Sequence, residues 1–201
     1  MASTGPATGL RIGIFGGTFD PVHVGHLAAA VEVRFALGLD RMLLMVAGVP
    51  WQKVGARAVT PAEDRLAVVE AAVDGIEGLE ACRLEIDRGG PSYTADTVAE
   101  LARRDPAAEL FLVVGSDVVA DLGSWERVGE VRAGVTLVVV TRPGVESVLP
   151  PSPWRTCSVA VPGLDVSSSD LRARVAAGRP IDGLVPPAAV RQIRRLGLYA
   201  G

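Results

Sequence analysis

Cysteine is scarce in this chain. There are two among 201 residues, Cys82 and Cys157, far apart. That excludes a disulfide-rich secreted scaffold and suits a reducing cytoplasm, with a single pairing of the two left open. A surplus of one charge is also missing: 20 basic and 23 acidic residues leave a net charge of −3. Neither nucleic acid nor an anionic membrane surface is therefore an expected partner. Every apolar run is cut by a charge, a glycine or a proline before it reaches the roughly 20 residues needed to span a bilayer. The first nine residues lack the basic start and apolar core of a signal peptide, and read as a flexible tail. Histidine is as rare as cysteine, and the two present, His23 and His26, stand three residues apart.

What is abundant is apolar: 49% of the residues, enough for a sizeable core. The length predicts one compact domain over 10–201. Buried runs alternate with helical periods. Ile12–Phe15, Arg41–Ala47, Leu79–Ile86, Glu109–Gly115, Val135–Thr141 and Cys157–Val161 read as strands. Helices are expected after Pro21, with Leu27, Ala30, Val31 and Phe35 on the core face, and from Thr60 to about Asp74. In the second, Thr60 caps, Pro61 takes the first helical position and Leu66, Val69, Ala72 and Val73 face the core. Others run from a Thr94 cap to Arg104, after Ser169, and from Ala188 to Leu196. Strand–helix alternation predicts an α/β fold with a doubly wound, mostly parallel Rossmann-like sheet, helices on both faces and a small helical C-terminal part.

The stretch Gly16-Gly17-Thr18-Phe19-Asp20-Pro21-Val22-His23-Val24-Gly25-His26 carries the chemistry. A strand running into two glycines and then a helix leaves backbone N–H groups facing outward, a ready anion site. Gly16 and Gly17 are expected to break the strand and to let a ligand approach the backbone. Both imidazoles can face the mouth of that turn and donate to phosphoryl oxygens, becoming cationic when an anion raises their pKa. Zinc is not expected, because the spacing is not His-x-x-x-His and no third ligand follows at a usual offset. A second signal is Val166-Ser167-Ser168-Ser169-Asp170-Leu171-Arg172, where serines before a helix supply caps and hydroxyls and Arg172 leans over the same anion.

The first of these motifs resembles the signature of the nucleotidylyltransferase superfamily, whose core is His-x-Gly-His. Its Gly-Gly-Thr-Phe-Asp-Pro-x-His-x-Gly-His form is most similar to the bacterial nicotinate mononucleotide adenylyltransferases. The second motif is similar to the family's Ile-Ser-Ser-Thr-x-Ile-Arg, with Val166, Ser169 and Leu171 as conservative departures.

The resemblance implies a cytoplasmic enzyme that transfers AMP from ATP to nicotinate mononucleotide, a step of NAD biosynthesis. Gly16, Gly17, Thr18, Phe19, His23, His26, Asp117, Ser168, Ser169 and Arg172 would bind ATP, with His23, His26 and Arg172 catalytic. Thr94 would border the pyridine-nucleotide pocket and Trp125 would stack on the ring. Lys53, in a Pro-x-x-Lys element after Pro50, would join them. Arg142, at the end of a strand, has a fork suited to a phosphate or a carboxylate. Mg2+ would come bound to ATP phosphates, with no metal ligands assigned in the protein.

In the family an Arg in the helix from Thr60 to about Asp74 often helps orient the site, but Arg65, on the side away from the core stripe, is given no role. For Thr94 and Asp117 helix capping is the competing reading, for Lys53 an ordinary solvated lysine, and for Trp125 plain core packing. Other superfamily transferases, acting on phosphopantetheine, riboflavin phosphate or a cytidylyl acceptor, stay open, as does a non-catalytic nucleotide sensor. A class I aminoacyl-tRNA synthetase is excluded by length and by the missing lysine-rich motif. A homo-oligomer and the choice between nicotinate and nicotinamide are left open.

Overall fold

The computed structural model describes residues 9–50, 58–142, 144, 150 and 153–200. Six strands form one sheet: β1 (Arg11–Gly17), β2 (Arg41–Val46), β3 (Leu79–Cys82), β4 (Glu109–Gly115), β5 (Thr136–Thr141) and β6 (Thr156–Ala160). All neighbours are parallel, in the order β3-β2-β1-β4-β5-β6. The order reverses between β1 and β4, and open α/β sheets bind ligands at such a switch point, beyond the strands' C-terminal ends. Among the described residues seven α-helices connect the strands or close the chain: α1 (Val24–Leu37), α2 (Ala62–Val73), α3 (Leu84–Arg88), α4 (Thr94–Arg104), α5 (Val128–Gly134), α6 (Ser168–Ala176) and α7 (Pro187–Arg195). Two apolar clusters fill the molecule. One contains Val33, Leu44, Val69, Leu171 and Ile193, the other Ile14, Leu43, Val98, Leu112 and Leu137. Residues of one strand, such as Leu43 and Leu44, fall in different clusters because successive side chains point to opposite faces of the sheet. No helix among the described residues is long and apolar enough to cross a membrane.

The expected doubly wound sheet is present, and the details correct several boundaries. Gly16 and Gly17 do not break β1, since they pair with Met45 and Val46. Gly17 is required for a different reason: a Cβ there would lie 2.8 Å from the Phe19 ring. At Gly16 a Cβ would meet nothing within 4 Å, so that backbone lies bare toward open space. The third strand ends at Cys82, and Glu85 and Ile86 belong to α3. Pro61 is the residue before α2 rather than its first member, and makes Thr60 no cap. Thr94 is likewise the first residue of α4, with Tyr93 before it. On α1 the buried residues are Leu27, Ala29, Ala30 and Val33, while Val31 and Phe35 are 41% and 84% exposed. The i, i+4, i+8 row therefore crosses from core to solvent, because the face that meets the sheet is lined by small alanines that periodicity weighs lightly. Cys82 and Cys157 are free, on β3 and β6 at opposite edges of the sheet.

Candidate active site

The loop between β1 and α1 lies at the switch point. Phe19 takes a left-handed backbone conformation, φ 48°, which costs a non-glycine residue about 1–2 kcal/mol. Its ring is buried and sits edge-on to His26, centroids 5.1 Å apart. His23 is the residue before α1, in extended conformation, and His26 is the third helical residue. Their rings stack at 3.7 Å. The His23 backbone N–H donates to His26 Nδ1 at 3.2 Å. An Nδ1 that accepts places the proton of a neutral imidazole on Nε2, so His26 presents a donor from its outer nitrogen.

His23 is 6% exposed, and its Nδ1 is buried without a hydrogen-bond partner. Burial first, and the positive Arg142 second, push its pKa down to about 4. The ring is therefore neutral at pH 7 in the unliganded protein. A bound polyphosphate would reverse the Arg142 effect and favour protonation.

The turn is tied down from elsewhere in the chain. Arg65, 1% exposed on α2, donates from Nη1 to the Thr18 carbonyl at 2.7 Å and from Nε to Thr60 at 2.8 Å. Its Nη2 donates to the carbonyls of Ala47 and Gly48 at 2.7 and 3.2 Å. One guanidinium thus binds the ends of β1 and β2 and the approach to α2, with a planar fork suited to several acceptors at once. From the C-terminal third, Ser168 Oγ donates to the Pro21 carbonyl at 2.8 Å and Arg172 Nη1 to the Asp20 carbonyl at 2.7 Å. Ser167 caps α6 by accepting from the Asp170 N–H, and its hydroxyl donates back to that carboxylate at 2.8 Å.

A cleft of about 610 Å³ opens above the strand ends, and ten of the residues singled out in the sequence line it: Gly16, Gly17, Thr18, His23, His26, Thr94, Asp117, Trp125, Arg142 and Ser168. Phe19, Ser169 and Arg172 are not among its lining residues. Phe19 supports His26 from beneath, while Arg172 Nη2 donates to Ser169 Oγ at 3.1 Å. Lys53 falls outside the described residues.

The wall formed by Thr94 and Trp125 is built across elements. Ser92 Oγ accepts from the Gly48 N–H at 2.9 Å, fixing the approach to α4 on the end of β2. An ion pair between Asp96 of α4 and Arg127 draws the Trp125 segment to the same helix. The Trp125 Nε1 is buried without a partner. Glu85 of α3 lines the cleft too, accepting from the Thr97 hydroxyl at 2.6 Å. Sequence reasoning missed Glu85, which lay inside an expected strand. It also withheld a role from Arg65, whose burial no local pattern announced. Among the described residues no group of three or more His, Cys, Asp and Glu gathers as a metal centre.

Comparison with known proteins follows the same line. The sequence model of the cytidylyltransferase-like family matches residues 14–174. A protein of Corynebacterium kroppenstedtii, named probable nicotinate-nucleotide adenylyltransferase, is 45% identical over 192 residues, covering 94% of this chain and 90% of its own. One of the same name from Roseiflexus sp. is 44% identical over 195 residues, covering 94% and 97%. In fold, the chain resembles the Plasmodium falciparum nicotinic acid mononucleotide adenylyltransferase solved with NaAD. The TM-score is 0.76 at 17% identity, over 94% of this chain and 97% of that one.

Proposed function

We infer the reaction of this chain from its kinship: it belongs to the cytidylyltransferase-like family and, within it, to the nicotinate-nucleotide adenylyltransferases. It transfers AMP from ATP to nicotinate mononucleotide, giving nicotinate adenine dinucleotide and pyrophosphate, a step of NAD biosynthesis. The observation that carries this reading is that one cleft gathers the Gly16–His26 turn, Ser168 and the Thr94–Trp125 wall. A phosphate-binding end and an aromatic-lined end in one cavity suit a reaction that joins two nucleotides.

A phosphate oxygen of nicotinate mononucleotide attacks the α-phosphorus of ATP in line. The new P–O bond forms as the bond to pyrophosphate breaks, with no covalent enzyme intermediate. Catalysis is then positioning and charge stabilisation. His26 donates from Nε2 to a phosphoryl oxygen. His23, neutral until the anion arrives, gains charge as the polyphosphate docks. Gly16 and Thr18 offer the bare turn to the triphosphate, and Asp117 accepts from a ribose hydroxyl. Ser168 supplies a donor for the departing pyrophosphate from the cleft wall, and Arg172 with Ser169, which stand outside the lining, reach it as the polyphosphate docks. Trp125 stacks on the pyridine ring beside Thr94, and Arg142 meets an anionic group at the rim.

Among the described residues, the phosphate end of the cleft offers imidazoles and hydroxyls rather than a cluster of carboxylates, which fits Mg2+ that would come bound chiefly to ATP phosphates and would offset their charge.

The test is pyrophosphate release with Mg-ATP, offering nicotinate mononucleotide, its amide analogue and phosphopantetheine in parallel. Preference for the nicotinate form is the expected result. Measurable ATP binding with no release from any acceptor would point to a nucleotide sensor instead.

A further inference from the structure

Asp20 lies in the phosphate-binding turn and is 1% exposed. A carboxylate so deeply buried needs hydrogen bonds to offset its lost hydration. One comes from far along the chain: the Tyr199 hydroxyl donates to Asp20 Oδ1 at 2.8 Å, across 179 positions of sequence. Tyr199 also touches the Thr60 side chain, and Thr60 is the residue whose carbonyl Arg65 holds while gripping Thr18. The tyrosine therefore closes a half-buried polar loop around the base of the turn.

Backbone strain marks the same place. Three described residues other than glycine have positive φ: Phe19 at 48°, Arg127 at 49° and Tyr199 at 64°. Two of the three flank this one hydrogen bond, Phe19 preceding Asp20 in the chain and Tyr199 donating to it. A left-handed tyrosine is sterically costly, and it persists where surrounding contacts over-determine it. Tyr199 also packs with Leu198 against the apolar core, and the hydrogen bond to Asp20 is its polar anchor there. Beyond the turn, His23 lies three residues from Asp20 and His26 six.

We propose that Tyr199, acting through Asp20, is a positioning residue that fixes the phosphate-binding turn and with it His23 and His26. Tyr199 lies outside the cleft lining and touches no substrate in this scheme. Its hydrogen bond restricts where the turn can sit, so its loss loosens the placement of the histidines around the phosphates. The kinetic part of this inference rests on the adenylyltransferase reading, while the structural part does not.

Two measurements on the full chain carrying Tyr199→Phe test it. In steady-state turnover, kcat is expected to fall about tenfold, in keeping with the steep dependence of rate on placement. The KM for nicotinate mononucleotide stays within twofold, since no bond of Tyr199 reaches the Thr94–Trp125 wall. In hydrogen exchange without substrates, the amides of residues 18–24 exchange about tenfold faster while those of 94–98 are unchanged. Parent-like exchange at 18–24 overturns the tie whether or not the chain is active. Faster exchange at 18–24 with parent-like kcat in an active enzyme overturns the positioning role. An inactive parent defeats the adenylyltransferase reading alone, and the exchange result then decides the tie by itself. A uniform rise in exchange across both segments would show general destabilisation and would also overturn the inference.

Discussion

Two parts of the cleft are built in different ways. The Gly16–His26 turn is one continuous segment held from below by Arg65 and from the C-terminal third by Ser168, Arg172 and Tyr199. The Thr94–Trp125 wall brings together two segments of the chain, joined by the Asp96–Arg127 pair and pinned to β2 through Ser92. The first concentrates its chemistry in sequence and distributes its supports. The second distributes its chemistry, and its ties span 31 and 44 positions, well short of the 147 to 179 that join the turn to the C-terminal third. Rigidity at the turn suits a place where charge must be met in one geometry. A surface pair such as Asp96–Arg127 is modest in energy, so the wall depends more on the packing of the tryptophan.

The sharpest way to break this contrast is His26→Ala. Turnover should drop by about 10²–10³-fold, the usual effect of removing one donor to a developing anionic charge. The KM for nicotinate mononucleotide should change little in the same assay. A large rise in that KM with kcat preserved would show that the turn and the wall are not separable. Next in size is Arg65→Met, which strips four carbonyls of a buried donor. Stability should fall by about 3 kcal/mol or more in urea denaturation. A loss under 1 kcal/mol would show that the turn is held without this grip.

A third test uses pH. His23 is held at about 4 in the folded chain, against 6.5 for an ordinary histidine. Between these values the unfolded chain binds a proton that the folded one refuses, so stability falls as pH drops from about 6.5 toward 4. The contribution reaches up to about 3 kcal/mol at the acid end. Denaturation midpoints of His23→Asn should decline less steeply over that window, and parallel declines would remove the assignment. The smallest effect concerns the wall. In Trp125→Ala the KM for nicotinate mononucleotide should rise about tenfold, in line with the 0.5–1.5 kcal/mol of an aromatic pair plus lost contact area. A kcat loss matching that of His26→Ala would place the tryptophan in the wrong half of the comparison.

The sequence made the turn, the sheet class and the serine motif legible because each depends on residues close together in the chain. Strand–helix alternation was strong enough to place six strands, and ten of the thirteen proposed ATP- and substrate-binding positions other than Lys53 line one cleft. What escaped depends on distance. Arg65 reads as a solvated helix residue until the ends of β1 and β2 are seen to converge on it. Asp20 reads as a turn residue until Tyr199 arrives. The α1 face was misplaced toward Val31 and Phe35 because alanines, not the larger side chains, make the close approach to the sheet. Glu85 was hidden by the early end of β3.

The separation of residues 20 and 199 also sets an order of events during synthesis. At about 5–20 residues per second, the turn leaves the ribosome roughly 10–35 s before the tyrosine that locks it. Through that interval β1 and α1 can form while the bond to Asp20 is still missing. A nascent chain would carry its phosphate motif early and complete the support of that motif only once the tyrosine has been made.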